Sequence, residues 1–233
     1  MACGYASMAD RLIILGTGGS ALDVLDVVEA INARQRRWEV EGFLCDARAA
    51  GEEHAGYPVL GRLADAGRFE GRWLVNSIGS DKSFRQRPTV VGSCGLASDR
   101  FATLVHPGAG VSSRARLGRG VVVNFGASIG GYVRIGDHVY VSPGVIVGHD
   151  SDIGDYAVLA PGCIVSGQVR VGRASYIGAG AVVRQRLEIG GGALVGMGAV
   201  VVKDVGADTT VAGNPAHALY GPATPRATIS GQG

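Results

Sequence analysis

From Val105 onward an aliphatic residue returns at every sixth position. The run goes Val105, Val111, Leu117, Val123 and so on to Val195 and Val201, seventeen members in succession. Four residues after each stands a second, mostly small residue, from Ala109 and Ala115 to Ala199 and Val205, and Gly usually falls between the two. A helix repeats its apolar positions every 3.6 residues and a simple strand every second residue, so a strict period of six fits neither alone. It predicts a solenoid in which each hexad is one short strand plus a corner. The branched aliphatic points inward, and the residue four later points inward where only a small side chain fits. Gly at the corners adopts positive φ without steric cost. Three hexads make one triangular coil, so the run makes nearly six coils, a prism on the order of 27 Å long at roughly 4.8 Å per strand. No coil is stable alone, and stacking holds the array together.

Up to residue 100 the pattern is different. Arg11–Gly16, Trp38–Leu44 and Trp73–Ile78 read as strands, with an amphipathic run over Ala21–Arg34 and a short helix over Leu63–Arg68. Strands alternating with helical segments predict a small parallel α/β sheet. The expected organisation is therefore an α/β domain over residues 11–100, a linker near Ser98-Asp99, the solenoid over residues 101–216, and flexible ends over residues 1–10 and 217–233.

Composition narrows the function classes. A net charge of +2 over 233 residues, with no Lys/Arg run, gives no reason to expect nucleic acid or a membrane surface as partner. No apolar stretch approaches the length needed to span a bilayer. The first ten residues lack the basic start and apolar core of a signal peptide. Four cysteines (Cys3, Cys45, Cys94, Cys163) have no CxxC spacing, which suggests a reduced, cytoplasmic protein.

Two segments carry candidate chemistry. Gly16-Thr-Gly-Gly-Ser20 sits between the first strand and the first helix, where backbone N–H groups suit a phosphate, although a tight turn without ligand has the same signature. Asp46 ends the second strand, where such folds read a ribose or base. In Val147-Gly-His149-Asp150-Ser-Asp152, a histidine and an acid share an outward corner. That is either a surface pair or a general base with its orienting carboxylate. Cys163 holds an inward small position and reads as packing, not as a nucleophile.

The tandem hexads resemble the hexapeptide-repeat acyltransferases. Over residues 11–216 the chain resembles the bacillosamine and perosamine N-acetyltransferases and the sialic acid O-acetyltransferases. The resemblance implies a small Rossmann-like N-terminal domain followed by a left-handed parallel β-helix, assembled as a homotrimer with active sites between subunits. It implies acetyl-CoA as co-substrate, no metal, and a nucleotide-linked sugar held by Gly18, Gly19, Ser20, Cys45, Asp46, Gly79 and Asp81, with Ser142 near the sugar or acetyl group. Ser20 stands where the family usually has His, and Cys45 replaces the first of an Asp pair. His149 is implied as general base with Asp150 behind it. Val158, Gly167, Ala179, Met197 and Lys203 are implied at the cofactor, with Arg184 and Arg186 as further phosphate candidates. The expected reaction is N-acetylation of a UDP- or GDP-linked 4-amino-4,6-dideoxyhexose in surface-glycan (O-antigen) biosynthesis. The alternatives are sugar O-acetylation, on sialic acid or another surface-glycan sugar, and a non-catalytic nucleotide-sugar-binding role. A zinc enzyme of the repeat fold would need converging histidines, and His106, His138 and His149 occupy three different hexad positions.

Overall fold

The computed structural model describes residues 9–220. Its N-terminal part is a five-stranded sheet in the order β3-β4-β2-β1-β5. These strands are β1 (Asp10–Leu15), β2 (Trp38–Leu44), β3 (Glu53–His54), β4 (Tyr57–Gly61) and β5 (Trp73–Asn76). β2, β1 and β5 pair in parallel, as do β2 and β4, whereas the short β3 runs antiparallel to β4. Helix α1 (Gly19–Arg34) connects β1 to β2. Two expected bounds shift: β1 begins at Asp10, and β5 stops at Asn76, not Ile78. Asn76 Oδ1 accepts a hydrogen bond from Ile78 N (2.9 Å), which turns the chain out of the sheet.

Seventeen two-residue strands follow, from β6 (Leu104–Val105) to β22 (Val200–Val201), spaced by six residues with no insertion. They stack in parallel into three faces, with pairing partners eighteen residues apart. Face I carries Tyr140-Val141 and Val158-Leu159, face II Ile146-Val147, and face III Asp152-Ile153. The inward aliphatics from Val123 to Val201 form one core at 0–3% exposure, with Cys163 and Ala181 fully buried at the small positions. Each such side chain contributes roughly 1.5–3 kcal/mol of burial.

The residue preceding each inward aliphatic points outward, and its chemistry separates the faces. On face III it is Arg116, Arg134, Asp152, Arg170 and Glu188, a solvated charged surface. On face I it is Leu104, Val122, Tyr140, Val158, Tyr176 and Leu194. Helix α1 packs there, so Val24, Val28, Val122, Tyr140 and Val158 share one core. On face II it includes Ile146, Ile164, Val182 and Val200, against which no helix or sheet packs among the described residues; Ile146 is 45% exposed.

The last coil departs from the six-residue rule. Val205, expected at a small inward position, pairs with Ile189, and Val211 pairs with Val195, so this coil is two residues short. Ala207, the residue six after Val201, lacks the branched side chain a strand position needs, and Val205 takes its place. The flexible end expected over residues 217–233 is corrected for residues 217–220 alone, and the rest of it lies outside the described residues. β24 (His217–Tyr220) returns antiparallel on β23 (Thr210–Ala212) and gains ladder hydrogen bonds on an otherwise open edge. The remaining terminal residues, with Cys3, lie outside those described.

Candidate active site

The Gly16–Ser20 turn, the ends of β2 and β5, and face I enclose a cleft of about 590 Å³. Gly18, Gly19, Ser20, Cys45, Asp46 and Gly79 line one side, and Tyr140, Ser142, Val158 and Tyr176 the other. The glycines differ in their reasons. Gly16 has φ +93° and a Cβ there would lie 2.5 Å from Ile78 Cγ1, so the fold requires it. Gly18 and Gly19 have nothing within 4 Å of such a Cβ, so the protein's own packing does not explain them. They leave backbone N–H groups open at the start of the sixteen-residue α1, an arrangement that favours an anion.

Several polar contacts shape the cleft. Asp46 Oδ1 accepts a hydrogen bond from Leu63 N (3.1 Å), and Cys45 Sγ lies 3.3 Å from Thr17 Oγ1. The Tyr140 hydroxyl shares its single proton between Ser20 O (3.2 Å) and Asp23 Oδ2 (3.3 Å), linking face I to the first turn of α1. Burial raises the pKa of both Tyr140 and Asp23. Asp23, Tyr140 and Tyr176 are cleft residues that the motifs did not single out. The tyrosines have a sequence signal in the eighteen-residue row of outward apolar residues on face I, and Asp23 has none.

Asp81 lies outside this cleft. It lines an adjoining groove of about 480 Å³ with Ala179, Met197 and Tyr176, and Tyr176 borders both spaces. Ser142, Ala179 and Met197 all sit on the edge between faces I and II. Val158, expected at the cofactor, lines the first cleft, where its outward side chain lies on face I beneath the N-terminal sheet.

His149 stands on a different edge, between faces II and III. Its Nδ1 is 2.7 Å from Asp150 Oδ2, and both side chains are exposed. With Nδ1–H donating to the carboxylate, Nε2 carries the free lone pair. Asp150 reaches the ring from a corner residue at φ +57°. Gly131, His149, Gly167, Gln185 and Lys203 follow one another at eighteen-residue intervals along this edge. Of the two glycines, Gly167 leaves the space that the imidazole fills: a Cβ there would meet the His149 ring, whereas one on Gly131 would approach only Ser112 Oγ, at 3.8 Å. Arg184 and Arg186 lie on the same edge, where Arg186 Nε donates to Gln168 Oε1 (2.8 Å). Gly167 and Lys203 on one edge and Ala179 and Met197 on the other thus divide the residues implied at a cofactor, with face II between them. Among the described residues, no cluster of three His, Cys, Asp or Glu is arranged to hold a metal ion.

Comparison with known proteins agrees with this architecture. The family described as bacterial transferase hexapeptide (six repeats) matches residues 132–167. The acetyltransferase domain of PglB from Neisseria gonorrhoeae, solved with acetyl coenzyme A, is 32% identical, with a TM-score of 0.78 over 91% of this chain and 100% of that one. PerB from Caulobacter crescentus, solved with CoA and GDP-perosamine, is 30% identical, with a TM-score of 0.77 over 89% of this chain and 96% of that one. The chain belongs to the hexapeptide-repeat sugar acetyltransferases. WeeI from Acinetobacter baumannii is 26% identical, with a TM-score of 0.76 over 91% of this chain and 100% of that one. No curated protein matches in sequence. The three-faced stack of parallel hexads fits the left-handed β-helix of such acetyltransferases, and this acetyltransferase carries its α/β sheet on one face of it.

Proposed function

We propose that this protein transfers the acetyl group of acetyl-CoA to the amine of a nucleotide-linked amino-dideoxy sugar. The observation that carries the reading is the pairing of His149 and Asp150, with Nε2 free, on an edge opposite a cleft suited to an anion. The Rossmann-like sheet holds the nucleotide-linked sugar at Gly18, Gly19 and Asp46, and the face I–II edge directs its amine outward past Ser142. The amine attacks the thioester carbonyl, and a C–N bond forms as the carbonyl becomes an oxyanion. His149 Nε2 takes the proton from the amine nitrogen, and Asp150 stabilises the imidazolium. Collapse of the oxyanion breaks the C–S bond, and the imidazolium returns the proton to the departing thiolate. A positioned base of this kind contributes about 10²–10⁴-fold. Corner backbone N–H groups are the candidates for stabilising the oxyanion.

The reading includes a homotrimer. Four of the exposed large apolar side chains, Phe125, Tyr132, Ile146 and Met197, lie on face II or its two flanking edges. Such a patch on an otherwise polar surface is characteristic of an interface. Packing face II against further copies brings the His149 edge of one subunit to the Ala179–Met197 edge of its neighbour. That would join the two halves of the divided cofactor set. Gly167, Ala179 and Met197 then line the acetyl-CoA groove, and Lys203 faces its phosphates.

The test is thiol release from acetyl-CoA against a panel of acceptors, run on wild type and His149→Ala. The acceptors are UDP- and GDP-linked 4-amino-4,6-dideoxy sugars, free sialic acid and CMP-linked sialic acid. Turnover of an amino sugar that disappears in the variant supports the proposal. Turnover of a hydroxyl acceptor alone would replace it with O-acetylation, and binding of a nucleotide sugar without any turnover would replace it with a non-catalytic role.

A further inference from the structure

Arg87 is 1% exposed, and its guanidinium meets no carboxylate among the described residues. It is held by main-chain oxygens. Nε donates to Tyr156 O (3.1 Å), Nη2 to His138 O (2.5 Å) and Nη1 to Ile78 O. Two of these carbonyls belong to successive coils of the prism, and the third follows β5 at the rim of the substrate cleft. Burying a cation without a counter-charge is costly, so its retention calls for a reason beyond packing.

The cleft supplies one. Among the described residues, Asp23 and Asp46 line it, and no lysine, arginine or histidine does. A diphosphate entering there would meet acidic side chains with no cation in the lining. Arg87 lies directly behind Gly79, a lining residue: a Cβ on Gly79 would come 2.5 Å from Nη1. In a trans peptide the C=O and the following N–H point in opposite directions. Drawing the Ile78 carbonyl inward therefore turns the Gly79 N–H outward, towards the cleft. That N–H has no hydrogen-bond acceptor among the described residues.

We propose that Arg87 is a positioning residue for a ligand diphosphate: it aims the Gly79 N–H at the phosphate oxygens and places a positive charge behind that donor. The role rests on the assignment of this cleft to a nucleotide-linked sugar. It acts on the anionic part of the ligand and leaves recognition of the nucleoside untouched. A purely structural brace would affect both alike.

Calorimetry on the full-length protein distinguishes these roles, with UDP, GDP, inorganic pyrophosphate, uridine and guanosine as probes. For Arg87→Met, binding of the diphosphates weakens by about tenfold or more, while nucleoside affinity stays within about twofold. Arg87→Lys, which keeps the charge but not the three-way fork, falls between Met and wild type. If Arg87→Met does not fold, Arg87→Lys and Gly79→Ala, which crowds the guanidinium, carry the same comparison. Equal loss for nucleosides and diphosphates, or no loss for either, overturns the role of Arg87 and leaves the cleft assignment standing. Wild-type protein that binds none of the probes overturns the cleft assignment and this inference with it.

Discussion

The imidazole of His149 lies over Gly167 of the next coil, where a Cβ would sit 2.8 Å from Nε2 and 3.0 Å from Cε1. The glycine makes room for the ring that it faces. In Gly167→Ala the backbone tolerates the methyl group, and the exposed ring moves instead. With the proposed base displaced by about an ångström, kcat should fall on the order of 10²-fold while the melting temperature stays near wild type. Steady-state kinetics beside a thermal melt checks this. An unchanged kcat would mean that the observed ring position is not the working one.

Asp150→Asn tests the other side of the same ring. An amide can donate to Nδ1, which moves the ring proton to Nε2 and removes its free lone pair. The expected loss in kcat is about 10²-fold or more, with KM for the sugar nearly unchanged. A variant at wild-type kcat would exclude Asp150 from orienting the base.

His138 should give the fold an acid-side weakness. Its ring is buried, stacked on Tyr156 at 4.9 Å and edge-on to Phe101 at 4.7 Å. Burial, reinforced by the nearby Arg87 charge, pushes its pKa down to about 4 from 6.5. The unfolded chain therefore binds this proton first. Stability is fully present above pH 6.5 and is lost as pH falls towards 4, by about 3 kcal/mol for this group. Denaturant melts between pH 7 and 4 should show the loss, and His138→Phe should make the profile shallower by about that amount.

Cys163 separates chemistry from packing. It is fully buried in the prism and burial raises its thiol pKa to about 12, so it is neither reachable nor ionised at neutral pH. Cys163→Ala should keep acetyl transfer near the wild-type rate, whereas Cys163→Leu should overpack the coil and destabilise it by roughly 1–3 kcal/mol. Loss of turnover in a folded Ala variant would show that the thiol takes part in a covalent step.

The prism was legible because its rule is local. A branched aliphatic every six residues describes both the strand and its corner, and the structure departs from it only where Val205 stands in for Ala207. A second period, of eighteen, was equally available in the outward residues. Arg116, Arg134, Asp152, Arg170 and Glu188 mark the solvated face, while Tyr140, Val158 and Tyr176 mark the covered one. Reading that row would have placed Val158, Tyr140 and Tyr176 together at the cleft. Arg87 could not be read in this way. Its partners are main-chain carbonyls from three separate segments, and a carbonyl leaves no trace in a side-chain pattern.

The triangular coil also ties chain length to geometry. A hexad can be inserted or lost without disturbing the alternation that fills the core, but each such change rotates everything downstream by one third of a turn. One hexad added between His149 and Gly167 would leave a well-packed prism in which the imidazole faces a different coil residue and Lys203 emerges on another side. Insertion of eighteen residues would restore the alignment one layer higher. Viable length variants of this chain should therefore differ by whole coils, although the hydrophobic pattern by itself would tolerate thirds.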